Sequence, residues 1–434
     1  MCYKLAIIIV ILILSESHST PTSNNLNEGF LKNPKYLNYN DLTNFFQQLV
    51  SEFPHLAKLH SIGRSVKNRQ LWALQINSNI EKRPLLTPMF KYVANMHGDE
   101  TIGRQLVIYL AEYLLRNYGK DERATRLVNS TDIFIMPSMN PDGFENSDEG
   151  ECESKAKYVG RSNENNIDLN RDFPDQYDGA VRAGTILSGR QPETIAMMTW
   201  IISRPFVLSG NLHGGAVVAS YPYDDSNTGR VCCKESPTPD NNVFKALAAV
   251  YAQGHSTMRT GNVCTNDHFV DGVTNGAFWY EVHGGMQDFN YVHSNCFEVT
   301  FELSCCKYPH ASTLPQEWHL NKESLLSFME STHWGVKGLV TNPNGEPILD
   351  ADVVVEGIPH NVTTSNKGEY WRLLLPGVYN IYATAYGYQR SDSEKIEVQK
   401  GSTTLQNFVL QLLPVPQKGN KGYRIGESQW FWSN

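Results

Sequence analysis

Between residues 39 and 333 short apolar runs alternate with stretches of helical period, as in 91–96, then 102–118, then 133–139. That alternation predicts an α/β domain. A helix over 101–118 sets Ile102, Leu106, Tyr109, Leu110, Tyr113 and Leu114 on one face, with Gly119 as its stop, and such a stripe belongs to a core. The run 206–212 predicts another strand. In 296–304 a period of two sets Phe297, Val299, Phe301 and Leu303 on one face and Glu298, Thr300 and Glu302 on the other. By pattern alone this is a half-solvated strand.

Beyond Trp334 the texture changes to β-rich runs at 353–356, 370–375, 379–385, 395–398 and 405–412, punctuated by Asn344-Gly345, Lys367-Gly368 and Pro376-Gly377. Turns at that spacing predict a small β-sandwich. It holds no titratable constellation, so its expected role is structural or docking. A chain of 434 residues exceeds what one hydrophobic core usually serves, which agrees with two domains. The division expected is 1–20 signal peptide, 21–38 lead segment, 39–333 α/β domain, 334–413 β-sandwich and 414–434 tail.

The ends and the charge refine that picture. Lys4, the apolar run 5–14 and the small or polar residues 15–20 read as a secretory signal, too short to span a bilayer. The tail lacks the hydrophobic stretch of a glycolipid-anchor signal. A secreted, extracellular protein is expected, with no transmembrane segment and disulfide-forming cysteines. Once Cys2 leaves with the signal, Cys152, Cys232, Cys233, Cys264, Cys296, Cys305 and Cys306 remain, an odd set in which one thiol is free or bound to another chain. Their pairing is not legible in the sequence. Asn129-Ser130-Thr131 and Asn361-Val362-Thr363 are glycan acceptor triplets. The formal net charge of −8 weighs against nucleic acid.

Candidate chemistry begins where the apolar runs stop. His97-Gly98-Asp99-Glu100 ends one run and opens the predicted helix, pairing an imidazole and a carboxylate suited to zinc. Alone, that spacing recurs by chance. The run 206–212 stops at His213, followed by Gly214-Gly215. Sites in open α/β sheets lie beyond the carboxyl ends of the strands, so His97, Glu100 and His213 can meet there. Three protein ligands leave one zinc position for water, the layout of a catalytic ion. A base and oxyanion donors are then required. Glu302 is the candidate base, with solvent exposure as its rival reading. Arg161 and Arg171, the latter beside Asn170, are candidate carboxylate binders, although isolated arginines are usually surface charges. Asp224 and Tyr280, taken singly, are ordinary loop residues.

Six motifs change the balance: His97-Gly-Asp-Glu100, Pro137-Ser-Met-Asn-Pro-Asp-Gly143, Asp168-Leu-Asn-Arg171, Asn211-Leu-His-Gly-Gly215, Gly284-Gly-Met-Gln-Asp288 and Glu302-Leu-Ser-Cys-Cys-Lys-Tyr-Pro309. In order and content they resemble the zinc metallocarboxypeptidases of the regulatory, carboxypeptidase N/E group, nearest in look to its carboxypeptidase M branch. The resemblance runs from residue 39 to about 412. It implies a mixed-sheet α/β carboxypeptidase domain followed by an all-β, transthyretin-like sandwich. It also implies one Zn2+ held by His97, Glu100 and His213, with Glu302 as general base and Arg161 polarising the scissile carbonyl.

By the same resemblance Asn170, Arg171 and Tyr280 grip the terminal carboxylate of the substrate, which makes the enzyme an exopeptidase. Asp224, with Gln287 beside it, matches the acid in the pocket for the last side chain and implies Arg or Lys there. A carboxylate taken out of water without a partner is costly, and a basic side chain offsets that cost where leucine cannot. Asp172 departs from the group, which usually has Asn after the carboxylate-binding arginine. The expected partners are peptides or proteins ending in Arg or Lys. The alternative is a catalytically inactive peptide-binding or adhesion protein on the same scaffold, which would be expected to have lost a ligand or the base; here every matched position is filled.

Overall fold

A computed structural model describes residues 27–177, 186–226, 233–265 and 267–414. The expected signal peptide, Cys232 and the tail from residue 415 lie outside them. Eight strands form the larger sheet: β1 (Ala57–Arg64), β2 (Gln70–Ile76), β3 (Met89–Ala94), β4 (Asp132–Met136), β5 (Phe206–His213), β6 (Val217–Tyr221), β7 (Val273–Asn275) and β8 (Phe297–Leu303). Their order is β1-β2-β4-β3-β5-β8-β6-β7. The four central strands, β4, β3, β5 and β8, run parallel, while β2 and β6 flank them antiparallel.

Every residue of the four central strands is buried, as expected of parallel strands covered on both faces. One face carries Phe90, Tyr92 and Phe301 against the helices Ile102–Asn117 and Leu314–Glu330. The other carries Met89, Val93 and Phe134 against Met197 and Ile201 of the helix Pro192–Ile202. The expected stripe of Ile102, Leu106, Tyr109, Leu110, Tyr113 and Leu114 is buried, and Gly119 follows with φ of +73°.

One expectation is corrected. The segment β8 is not half-solvated, because it lies between β5 and β6 and its polar face meets protein rather than water. Glu298 Oε2 lies 3.2 Å from Lys91 Nζ and accepts from the Ser209 hydroxyl at 2.6 Å. The Thr300 N–H donates to Gln287 Oε1 at 2.8 Å.

The β-rich region forms two small sheets from β9 (Val336–Thr341), β10 (Asp352–Val355), β11 (Val362–Thr363), β12 (Glu369–Arg372), β13 (Gly377–Thr384), β14 (Glu394–Val398), β15 (Thr404–Leu405) and β16 (Phe408–Val409). One is ordered β11-β10-β13-β14; the other is β12-β9-β15, with β16 also on β9. Val336, Val353, Ile381 and Phe408 help fill the core shared by the two sheets. The expected run 405–412 is broken because Asn407 turns its Oδ1 back to accept from the Leu339 N–H at 2.8 Å.

Disulfides join Cys152 to Cys306 and Cys264 to Cys305. Cys233 is also disulfide-bonded, and buried Cys296 is the free thiol among the described residues. Among the same residues no helix is long and apolar enough to cross a membrane.

Candidate active site

The turn after β3 is shaped by Asn95, which sits at φ of +57°, a conformation asparagine tolerates better than most residues. Its Nδ2 lies 2.9, 2.8 and 3.1 Å from the carbonyls of His97, Gly98 and Glu100, folding that loop over the strand end. At Gly98 a Cβ would stand 2.2 Å from the carbonyl carbon of Gly143, so glycine alone permits this approach. His213 is the last residue of β5, and Glu302 on β8 is its direct partner in register. Sheet pairing therefore brings together residues 89 positions apart in the chain.

The candidate ligands converge. Glu100 Oε2 lies 3.0 Å from His97 Nδ1 and 2.9 Å from His213 Nδ1. One ligand atom from each of the three residues falls within 4.8 Å of the others, and all three side chains are buried. Two imidazoles and a carboxylate at that separation fit zinc.

The surroundings fix this cluster. His97 Nε2 lies 2.9 Å from Asp168 Oδ1, which orients the ring and leaves Nδ1 facing the centre. Arg161 donates from Nε to Asp168 Oδ2 at 3.2 Å and from Nη1 to Glu100 Oε1 at 3.0 Å. Burial works against the Asp168 charge, but His97, Arg161 and Arg171 hold its carboxyl well below the usual carboxylate range. Lys307 Nζ reaches Glu100 Oε1 at 2.7 Å. Sequence reasoning assigned no role to Asp168 or Lys307. Both stand inside quoted motifs, and the signal available was a charged residue beside a candidate ligand or base.

Glu302 Oε2 is buried with no hydrogen-bond partner among the described residues. Burial, followed by the negative charge of Glu100, pushes the carboxyl well above its usual range. A proton acceptor held in this way, on the strand beside His213, has the placement required of a general base.

One cleft is lined by His97, His213, Glu302, Asn170, Asp224 and Tyr280, together with Gly276 and Trp279. Asp224 is 6% exposed and accepts from Gln287 Nε2 at 2.8 Å. Its backbone N–H donates to Asp288, and a Cβ on Gly276 would fall 1.8 Å from its Oδ1. Burial raises the Asp224 carboxyl to about 7; Arg171 opposes the shift, and Glu298 and Asp225 add to it.

Asn170 is buried and accepts from the Met286 N–H at 3.0 Å, while Tyr280, 41% exposed, stands at the rim. Arg171 stands outside the cleft lining, with Nη1 donating to the Asn170 carbonyl at 2.9 Å. Arg161 and Gln287 do not line the cleft either; Gln287 touches it through Asp224, and Arg161 bonds Glu100, which contacts the two lining histidines. The departure at Asp172 faces elsewhere, since its Oδ2 accepts from the Gln191 N–H at 2.7 Å.

The zinc carboxypeptidase pattern (Peptidase M14) matches residues 42–324, and the carboxypeptidase regulatory-like domain matches 335–411. Carboxypeptidase D of Drosophila melanogaster is 52% identical over 417 residues, covering 96% of this chain and 30% of the relative. Human carboxypeptidase D is 45% identical, covering 85% of this chain and 26% of the relative. The chain thus spans under a third of the carboxypeptidase D relatives it matches. The catalytic chain of human carboxypeptidase N is 43% identical over 86% of this chain and 85% of its own length. In fold, the carboxypeptidase A of Helicoverpa armigera is similar with a TM-score of 0.54 at 17% identity, over 70% of this chain and 74% of that one. The chain belongs to the zinc carboxypeptidase family, whose cofactor is a single zinc ion.

Proposed function

We propose that this chain removes carboxyl-terminal Arg or Lys from peptides and proteins as a secreted zinc metallocarboxypeptidase. The observation that carries the reading is that one cleft is lined by both histidines, Glu302 and Asp224. His97, Glu100 and His213 hold the zinc. When bound, the ion supplies Lewis-acid polarisation of the scissile carbonyl and acidifies water.

The chain's own groups do the rest. Glu302 takes the proton of the attacking water and delivers it to the departing amine; its buried Oε2, which has no hydrogen-bond partner among the described residues, is available for both transfers. Arg161, held by Asp168 and Glu100 behind the histidines of the cleft, is the guanidinium assigned to the developing oxyanion, which it meets once substrate is seated. Asn170, Arg171 and Tyr280 hold the terminal carboxylate; an internal peptide bond offers no such anion. Asp224, kept in place by Gln287, receives the basic side chain, and the cation compensates a carboxylate otherwise costly to bury.

Residues 39–333 form the catalytic domain in this reading and 334–413 the sandwich domain. Asn129 and Asn361, both exposed, are the glycan acceptors of the secreted protein. The test is to incubate the purified protein with peptides that differ only in ending on Arg, Lys, Leu or Glu, with and without a zinc chelator, and to identify the residue released. Chelator-sensitive release of Arg and Lys supports the reading. Peptide binding without release would support a binding-only protein instead.

A further inference from the structure

The helix Met286–His293 is fastened at both ends. In its first turn Gln287 donates to Asp224, and Asp288 accepts the backbone N–H groups of Asp224 and Asp225 at 2.9 and 3.2 Å. In its last turn the Tyr291 hydroxyl donates to Asp240 Oδ2 at 2.8 Å. The other oxygen of Asp240 accepts from Arg372 Nη2, also at 2.8 Å, and both side chains of that ion pair are fully buried. Arg372 belongs to β12, in the small sheets beyond residue 334.

A second contact repeats the attachment. The His360 ring stacks on Tyr291 with centroids 3.9 Å apart, and its carbonyl accepts from Arg372 at 3.3 Å. Just past the helix, Asn295 Nδ2 donates to the Thr363 carbonyl at 2.9 Å while its Oδ1 accepts the Thr363 N–H at 2.9 Å.

Tyr291 follows Gln287 by four residues and Asp288 by three, so all three lie on adjoining positions of one helical surface. A helix transmits a displacement along its axis because its backbone hydrogen bonds hold it as a unit. A buried ion pair contributes little net stability when balanced against desolvation, so stability alone gives no reason to place one here. What it does supply is a fixed distance and direction.

We propose that the β-sandwich positions the Asp224 pocket, with Arg372 and Tyr291 as positioning residues that act through Asp240 and the helix Met286–His293. This rests on the reading of Asp224 as the acceptor of a basic side chain. In ordinary single-domain terms the sandwich would only stiffen the fold; here it sets the registry of Gln287 and Asp288 and thereby the aim of the pocket carboxylate.

The test compares the full-length protein with Tyr291→Phe, Arg372→Met and Asp224→Ala, on two peptides identical except for a final Arg or Leu, with zinc content and Tm measured alongside. Tyr291→Phe removes one hydroxyl, and the expected result is a KM for the Arg peptide raised about tenfold, with kcat within about twofold and the Leu peptide unaffected. Arg372→Met is expected to act in the same direction; should it fail to fold, Tyr291→Phe decides. A lowered Tm with an unchanged Arg-to-Leu ratio in Tyr291→Phe overturns the proposal, provided Asp224→Ala has lost its preference for Arg. If Asp224→Ala keeps that preference, the pocket reading itself falls and this inference with it.

Discussion

Replacing Asp224 by Asn removes a charge while keeping nearly the same shape. The Asn carbonyl can still accept from Gln287, now 2.8 Å from Asp224 Oδ1, so the pocket is expected to retain its form. At an effective dielectric of about 20, opposite charges about 4 Å apart attract by roughly 4 kcal/mol. Stripping water from the arriving guanidinium or ammonium consumes part of that, leaving about 2–3 kcal/mol, or about 30- to 150-fold in kcat/KM. The assay is kcat/KM on paired peptides ending in Arg and Leu. A variant whose Arg preference stays within about threefold of the parent would refute the reasoning.

The same residue gives a pH signature. With the carboxyl raised to about 7 by burial, Glu298 and Asp225 adding and Arg171 opposing, the free protein holds Asp224 neutral below that pH. Binding a cation then requires loss of the proton. The KM for the Arg peptide is expected to rise as pH falls through 7, while that for the Leu peptide stays flat. For stability the sign is opposite: the folded carboxyl lies above its ordinary 3.8, so its contribution is fully present below that value and lost as pH rises through about 7. Asp224→Asn should escape this loss, read as a smaller decline in Tm between pH 4 and pH 7.

Two further substitutions probe the supports. Gly276→Ala would place a methyl 1.8 Å from Asp224 Oδ1, and is expected to reduce the Arg-to-Leu ratio with zinc retained; an unchanged ratio in the purified variant would contradict the packing described. Asp168→Asn leaves a weaker acceptor at His97 Nε2 and should lower zinc affinity about 10–100-fold, measured by titration against a competing chelator, with unchanged affinity as the contrary result.

Much of the site was legible because strand ends carry it. His97 and His213 each terminate an apolar run, and β3 and β5 are neighbours in the sheet, so the two imidazoles meet without needing the intervening 115 residues to be understood. The alternation in β8 misled for a physical reason: Glu298, Thr300 and Glu302 face Lys91, Ser209, Gln287 and the cleft, and a period of two cannot distinguish a polar protein surface from water. The motif resemblance, not the pattern, raised Glu302 to general base. Long-range partners were the least legible. The bonds Cys152–Cys306 and Cys264–Cys305, and the pair Asp240 with Arg372, depend on where distant segments come to rest, and no local spacing encodes that. The assignment of Cys296 as the free thiol has the same origin.

The most direct test of the account is single-turnover kinetics of Glu302→Gln on an Arg-ending peptide with zinc content measured in the same preparation. The account predicts full zinc occupancy, a KM close to the parent and a rate lower by about 10³-fold or more, since the proton of the attacking water then has no acceptor on β8. A zinc-loaded variant that still releases Arg within about tenfold of the parental rate would contradict it.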